Sequence, residues 1–263
     1  MNMIVCAKQI QDPEAPPATF KVDPAANKVI PPAGVEPVIS PFDEQAEEAA
    51  LRIKDAQGGM VKVISMGPEM KRTVVLKSLS MGADELYLIE DPALAGLASF
   101  STAYALAAAI KKIGEFDVIF CGRQAADWDA GQVGSGIAEI LGIPSVTVAK
   151  KVDAVDGRIR VERVVADGYE VIEVETPCLI TVSNELGEPR YPTMKGIMAA
   201  KKKPTTVWSA QDIGVDPSKL QTRTKLLKLF IEVRVGKCEM IEGETIEEAA
   251  ANLALRLRGA KVI

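Results

Sequence analysis

A loop between an apolar strand and a glycine-containing helix, Phe120 to Pro144, carries the residues best suited to bind a nucleotide. Its sequence is FCGRQAADWDAGQVGSGIAEILGIP. The first N–H groups of a helix have no partner within the helix and carry partial positive charge, so anions bind there. Gly131, Gly134 and Gly136 allow a ligand to approach the main chain closely. We therefore predict a nucleotide site at this loop.

Two acids in the same loop oppose that prediction. Asp127 and Asp129 bring negative charge to the place where a phosphate would bind. The alternative is structural, with Asp129 capping the helix and the glycines forming only a turn. Glycine-rich turns between a strand and a helix are common, so the loop alone leaves both interpretations open.

The chain of 263 residues contains no histidine, which narrows its chemistry. Histidine is the commonest general base, metal ligand and triad member, so hydrolytic and metal-dependent activities are disfavoured. The cysteines Cys6, Cys121, Cys178 and Cys238 form no C-x-x-C pair, which disfavours a zinc site or disulfides, and three of them are predicted to be packing residues. Binding, or electron transfer by a cofactor, is favoured by elimination.

The overall composition is that of an ordinary globular protein. The chain has 31 Lys and Arg against 36 Asp and Glu, a net charge of −5, and only 5% aromatic residues, which disfavours nucleic acid as a partner. No apolar run reaches the roughly 18 residues of a membrane span, and the N-terminus lacks a signal-peptide pattern. We therefore expect a cytoplasmic protein without membrane insertion.

Strand and helix patterns alternate through the first half of the chain. Strands are predicted at Met3–Ala7, Met60–Ser65, Leu86–Ile89 and Val118–Phe120. Helices are predicted to begin after Ser40 and at about Glu69, and a further helix is predicted at Ser99–Ile113. Ser40 is predicted to cap the first of these helices. The Pro- and Ala-rich segment before Ser40 is predicted to be an extended or hairpin-like excursion. This alternation predicts an α/β fold with a doubly wound, mostly parallel sheet. Ligands bind such sheets where the strand order reverses, which places Cys6, Ala7 and Lys8 beside the Gly122 loop.

The pattern changes after Val148. Predicted strands at Arg158–Val164, Glu170–Glu175 and Cys178–Val182 are separated by turns, which suggests antiparallel additions to the sheet. Residues 213–237 lack a compact pattern. The last helix has one apolar stripe, Ile246, Ala249, Ala250, Leu253 and Leu257, and is expected to pack on another polypeptide. We divide the chain into a nucleotide-binding domain, residues 1–205, and an extended C-terminal arm, residues 206–263.

The segment 189–203 combines Met and Tyr residues with a terminal run of lysines. One interpretation is a solvated loop with a basic end. The other is a docking loop, since flexible Met side chains adapt to partner grooves.

The chain resembles the β subunits of electron transfer flavoproteins over essentially its full length. The motifs that carry the resemblance occur in order: CAKQI, VISPFDEQAEEAALRIKD, SMGP, LSMGADE, GRQAADWDAGQVG, VERVVADGYEVIEVETPCLITVS and EPRYPTMKGIMAAKKK. The resemblance implies an electron carrier subunit rather than an enzyme, paired with a larger α subunit that holds an FAD near the shared interface.

The resemblance also implies two sets of functional residues. The β-subunit nucleotide pocket corresponds to Cys6, Ser40, Pro41, Phe42, Asp43, Met66, Gly122, Arg123, Gln124, Asp127, Asp129, Ala130, Gly131, Gln132, Val133 and Gly134. The partner-recognition loop, residues 189–203, corresponds to Arg190, Tyr191, Met194, Ile197 and Met198 as contacts with an acyl-CoA or other dehydrogenase. Met194 stands at the position of the apolar anchor.

The nucleotide in this pocket is either AMP or a second FAD. AMP-binding members have an acidic run followed by Asn and Gln, whereas Ala130, Gly131 and the segment 91–96 are similar to electron-bifurcating members with FAD. We therefore expect FAD, with Gly96, Ser99 and Thr102 as further cofactor-binding residues and NADH as an associated donor, and keep AMP as the alternative. The chain departs from the bifurcating pattern at Ala98-Ser99 and at Trp128.

A stand-alone ATP-binding module of related fold is a further alternative. An ATP pyrophosphatase would need a Ser-Gly-Gly loop after the first strand, and a nicotinamide dehydrogenase an early G-x-G-x-x-G. The sequence CAKQIQD that follows the first strand offers neither motif.

Overall fold

The computed structural model describes residues 1–231, 236 and 238–263. The strands of these residues are β1 (Asn2–Cys6), β2 (Gln9–Ile10), β3 (Lys21–Asp23), β4 (Lys28–Ile30), β5 (Val38–Ile39), β6 (Met60–Gly67), β7 (Glu85–Glu90), β8 (Val118–Gly122), β9 (Ser145–Val155), β10 (Arg158–Val165), β11 (Gly168–Glu175), β12 (Cys178–Val182) and β13 (Thr205–Trp208). The helices are α1 (Pro41–Gln57), α2 (Arg72–Met81), α3 (Ser99–Ile113), α4 (Val133–Leu141), α5 (Met194–Ala200), α6 (Pro217–Leu220) and α7 (Ile246–Gly259).

Nine of the strands in the described residues form the central sheet, in the order β11-β10-β9-β12-β8-β1-β6-β7-β13. The strands from β9 to β13 in this order pair in parallel, and β10 and β11 continue the sheet in antiparallel fashion. This arrangement confirms the predicted α/β class with a mostly parallel sheet. The short antiparallel pairs β2–β5 and β3–β4 confirm the hairpin-like excursion before α1.

The two faces of the sheet carry separate hydrophobic cores. Met3 and Val5 of β1 belong to the core that α1 and α2 cover, whereas Ile4 and Cys6 belong to the core beneath α3 and α4. Alternate residues of a strand point to opposite faces, so a continuous apolar run such as β1 must be covered on both. The sheet is therefore doubly wound, and the strand order reverses at β1, between β6 and β8.

One prediction about the later strands was wrong, and one strand was missed. Cys178–Val182 is not an antiparallel addition but the parallel strand β12, inserted between β8 and β9 and buried along its whole length. Its continuous apolar run fits a strand that is covered on both faces, and the pattern does not fix the direction in which the strand pairs. The eleven-residue strand β9, which begins at Ser145, was missed because charged residues interrupt its apolar pattern.

One helix start and one helix cap also differ from prediction. Helix α2 begins at Arg72 rather than near Glu69, since the N–H groups of Met70 and Lys71 donate to the side chains of Glu90 and Gln9. Ser40 precedes α1 as predicted, but its hydroxyl does not cap the helix. The Ser40 Oγ instead accepts from the N–H of Ala126, 3.4 Å away, in the loop after β8.

The C-terminal part begins within the sheet and then leaves it. Strand β13 pairs with β7 and spans the predicted domain boundary between residues 205 and 206. Farther along the chain, Ile213, Val215 and Leu220 are buried beside α3. Residues 232–235 and 237 of the segment predicted to lack a compact pattern lie outside the described residues. Among those described, no helix is both long and apolar enough to cross a membrane.

Candidate functional site

The carboxyl ends of β1 and β8 lie side by side at the point where the strand order reverses. Cys6 of β1 is the register partner of Cys121 of β8, and both side chains are buried. The loops that leave these strands, from Lys8 and from Gly122, therefore meet at one edge. This is the position that the predicted topology required for a ligand site. Burial of Cys6, Cys121 and Cys178 also confirms the packing role expected for three cysteines.

Asp43 in the first turn of α1 joins the two strand ends. Its Oδ2 accepts from the N–H of Lys8 at 2.9 Å, and its Oδ1 accepts from the N–H of Gly122 at 3.0 Å. Burial raises the pKa of Asp43 to about 7, although the two N–H donors act in the opposite direction. A methyl group on Gly122 would lie 2.6 Å from Asp43 Oδ1, so only glycine permits this approach. Asp43 was predicted as a ligand residue, and its carboxylate is directed to the protein's own main chain.

The two acids of the loop after β8 are both engaged. Lys8 Nζ lies 2.8 Å from Asp127, and Gln124 Nε2 donates to Asp129 Oδ1 at 2.8 Å. The Lys8 pair offsets the negative charge that opposed phosphate binding. Asp129 does not cap α4, since Gln132 occupies the cap position and Asp129 has a φ of +51° in the turn before it. The structural alternative for Asp129 is therefore wrong.

The start of α4 is built for close packing. A methyl group on Gly134 would lie 2.7 Å from Thr181 Cγ2 of β12, so this glycine draws the helix against the sheet. Gly131 has a φ of +62°, and a methyl group there would meet only the Arg123 carbonyl oxygen, at 3.5 Å. The space beside Gly131 is thus open, and the unpaired N–H groups of the first helical turn face the same edge.

The remaining predicted pocket residues lie in two groups along this edge. At β8 and α1, the guanidinium of Arg123 stacks on the ring of Phe42 with its carbon 4.9 Å from the centroid, and Trp128 is 60% exposed. The other members of this group are half-buried or exposed: Pro41, Gln124, Ala130, Gln132 and Val133.

The second group follows the neighbouring strands β6 and β7. Met66 is near the end of β6, and Gly96, Ser99 and Thr102 lie between β7 and the first turn of α3. The hydroxyl of the intervening Ser101 donates to the carbonyl oxygen of Lys219, 3.1 Å away, and is not free for a ligand. The topology thus brings both groups to the carboxyl edge, with β1 between their strands.

A second candidate surface consists of residues 189–203, which we call the docking segment after the role predicted for it. Thr193 caps its helix α5, since the Thr193 hydroxyl accepts from the N–H of Gly196 at 3.0 Å. The apolar side chains of this surface are exposed to solvent: Tyr191, 86%; Met194, 76%; Ile197, 43%; and Met198, 70%. Large apolar side chains exposed together mark interaction surfaces. Arg190 differs from them, since it turns inward to Glu48 and Asp55 of α1.

Sequence reasoning missed several residues that shape these surfaces. Lys8 was placed beside the loop but not as the partner of Asp127, and Glu48 and Thr181 were not singled out. A basic residue directly after a central strand is a usable signal for Lys8. No pattern along the chain marks the contact of Glu48 with Arg190 or that of Thr181 with Gly134, because these partners are distant in sequence.

Comparisons with known proteins place the sequence among electron transfer flavoproteins. A model of the electron transfer flavoprotein domain matches residues 27–213. The chain is 42% identical to the electron transfer flavoprotein subunit beta of Thermoanaerobacterium thermosaccharolyticum and 40% identical to subunit CarD of the caffeyl-CoA reductase-Etf complex of Acetobacterium woodii, in both cases over the full length of each chain. It is also 36% identical, over all of both chains, to the acryloyl-CoA reductase electron transfer subunit gamma of Anaerotignum propionicum.

Proposed function

The chain belongs to the electron transfer flavoprotein family, as a relative of its β subunits, and we propose that it carries FAD in the site at the ends of β1 and β8. As a β-type subunit it serves electron transport rather than catalysis. The observation that carries the FAD proposal is the open space at Gly131 beside the start of α4. When bound, FAD supplies the reversible uptake of electrons that the side chains of this chain lack.

The residues at the site suit an adenine nucleotide with a phosphate chain. The first N–H groups of α4 are donors for phosphate, and Lys8 neutralises Asp127 nearby. Gly96, Ser99 and the start of α3 lie farther along the same edge and would receive the longer part of FAD. Trp128 is exposed at the rim and is able to cover an aromatic ring. NADH would be the associated electron donor in this form.

AMP is the second candidate for the same site. One observation favours it: the Ser101 hydroxyl at the start of α3 is bonded to the main chain of Lys219 and Gln221. Fewer hydrogen-bond donors therefore remain at the start of α3 for a nucleotide longer than AMP. With AMP in place, the heterodimer would carry only the FAD of the α subunit, near their shared interface.

Gly131→Asn distinguishes the two nucleotides. Asn tolerates positive φ, so the substitution leaves the backbone intact and crowds only the ligand. Nucleotides released from the purified heterodimer are counted, and we expect about two FAD in the wild type and closer to one in the variant, since overpacking costs about 1–3 kcal/mol. Gly142→Asn places the same residue at a φ of +71°, with open space around it, after the other end of α4. A wild type that releases one FAD and one AMP contradicts the FAD proposal.

The docking segment is proposed to receive a dehydrogenase or reductase that acts on acyl-CoA compounds. Two relatives are named as parts of a caffeyl-CoA reductase complex and of an acryloyl-CoA reductase. An exposed Met-rich helix fits this use, because unbranched Met side chains adapt to an apolar groove. Met194 is the proposed anchor.

The helix α7 is proposed to bind the α subunit, since none of its residues is buried. We expect Leu253→Asp to weaken the heterodimer by about 2 kcal/mol or more, the loss of a buried interface side chain. The measurement is the dissociation constant of the two subunits by titration calorimetry. Ala251→Asp places the same charge on the opposite face of the helix and is the control. Equal effects of the two variants would show that the apolar stripe is not the contact.

A further inference from the structure

Arg190 ties the beginning of the docking segment to helix α1. Its Nε lies 2.7 Å from Glu48 Oε2, and its Nη1 lies 2.8 Å from Asp55 Oδ2. Its backbone N–H also donates to Glu48, at 3.2 Å. The guanidinium therefore bridges two carboxylates about two turns apart on α1, the buried Glu48 and the exposed Asp55.

Glu48 is the centre of this contact. Its side chain is 7% exposed and also accepts from Arg52 Nε at 2.9 Å, while Arg52 Nη1 donates to the carbonyl oxygen of Leu186 at 3.2 Å. Burial acts to raise the pKa of Glu48, but the hydrogen bonds from Arg190 and Arg52 hold it below its ordinary value. A carboxylate that is almost fully buried and accepts from two arginines is a rigid attachment point, because the planar guanidinium groups hold it in one orientation.

The other end of the segment is fixed to α2. Lys203 Nζ donates to the carbonyl oxygen of Leu79 at 2.9 Å and to that of Ala83. Between the two ends, Gly196 lies so close to α2 that a methyl group there would be 2.3 Å from the Ser80 carbonyl oxygen. Helix α5 is thus a preformed element with a set orientation, and its partner need not order it on binding.

We propose that Arg190 is a positioning residue for docking, which sets the orientation of Tyr191 and Met194 through Glu48 and Asp55 and does not itself contact the partner. The proposal rests on the proposed docking function of residues 189–203. It differs from the expectation from sequence, in which Arg190 contacts the dehydrogenase. Only the planar fork of arginine bridges two carboxylates in this way, so lysine is a poor substitute.

The test uses the purified heterodimer as electron acceptor for an acyl-CoA dehydrogenase, with KM for the heterodimer and kcat measured at several salt concentrations. Arg190→Gln and Glu48→Gln should each raise KM on the order of tenfold, while kcat and flavin content stay unchanged. This effect is smaller than the roughly hundredfold loss of rate that a 1 Å misplacement of reacting groups can cause. The double variant should be no worse than either single one, because both remove the same contact. Arg158→Gln removes an exposed arginine paired with Glu175 and is the control.

Two results would overturn the proposal. If Arg190 contacts the partner, Glu48→Gln frees it and leaves KM unchanged or lower, and Arg190→Gln flattens the salt dependence of KM. If Arg190→Gln and Arg190→Lys both lose flavin, Arg190 maintains the whole fold rather than the docking segment. A Met194→Ala variant with wild-type KM would instead show that the dehydrogenase does not use this segment, a failure of the proposed function itself.

Discussion

Gly122→Ala should destabilise the protein by about 3 kcal/mol, the upper part of the range for overpacking a close-packed site, and should abolish nucleotide retention. The added methyl group would lie 2.6 Å from Asp43 Oδ1, 2.7 Å from Phe42 Cβ and 2.8 Å from the Phe42 carbonyl carbon. Backbone atoms cannot rotate away, so the start of α1 must shift. That shift moves the Asp43 carboxylate away from the N–H groups of Lys8 and Gly122. The two hydrogen bonds through which Asp43 joins the ends of β1 and β8 are then lost.

The measurement is the free energy of unfolding by urea, together with the nucleotide released from the purified heterodimer. Gly259→Ala, near the end of α7, has no atom within 4 Å of the added methyl group and should be neutral or slightly stabilising. If Gly122→Ala unfolds at the wild-type urea concentration and keeps its nucleotide, the proposed role of the Asp43 contact is wrong.

Glu47→Met should stabilise the protein at pH 8 by about 3 kcal/mol, and by much less at pH 5. Glu47 is fully buried between α1 and α2, and neither carboxylate oxygen has a hydrogen-bond partner in the described part of the chain. Burial raises its pKa from 4.5 to about 7, partly offset by the nearby Ser78 hydroxyl, which makes no well-formed hydrogen bond.

The direction of the pH effect follows from the raised pKa of Glu47. Between pH 4.5 and about 7 the folded state holds a proton that the unfolded chain has lost, so stability falls as pH rises through this interval. Each pKa unit corresponds to about 1.36 kcal/mol, so the interval accounts for roughly 3 kcal/mol. Below pH 4.5 both states are protonated, and this effect vanishes.

The measurement is the free energy of unfolding of the heterodimer by urea, at pH 5 and at pH 8, for the wild type and for Glu47→Met. Asp43, whose pKa is also about 7, titrates in the same interval, so Glu47→Met should retain part of the wild-type pH dependence. Glu139→Met introduces the same side chain at an exposed position of α4 and controls for the substitution itself. If the free energy of unfolding changes between pH 5 and pH 8 by the same amount in Glu47→Met as in the wild type, Glu47 is not protonated in the folded protein.

Local patterns predicted most of the helices and central strands. The apolar run Met3–Ala7 predicted β1, and helix α3 has the predicted bounds, Ser99–Ile113. Gly142, with a φ of +71°, ends α4 where expected. These features depend on neighbours within a few residues, through side-chain periodicity and backbone conformation, so they can be read along the chain. The location of the candidate site followed from the alternation of strands and helices.

Only the tertiary structure decided which strands pair and which charges meet. The Cys178–Val182 run suits a buried strand in either direction, and the return of the chain between β8 and β9 made it parallel. Lys8 and Asp127 are 119 residues apart, and Arg190 and Glu48 are 142 apart. Periodicity carries no information on such pairs, because the sheet topology brings them together. The sequence by itself therefore determined most of the elements, their order and the edge that carries the candidate site, whereas long-range packing determined that Asp43 joins two strands and that Arg190 faces α1.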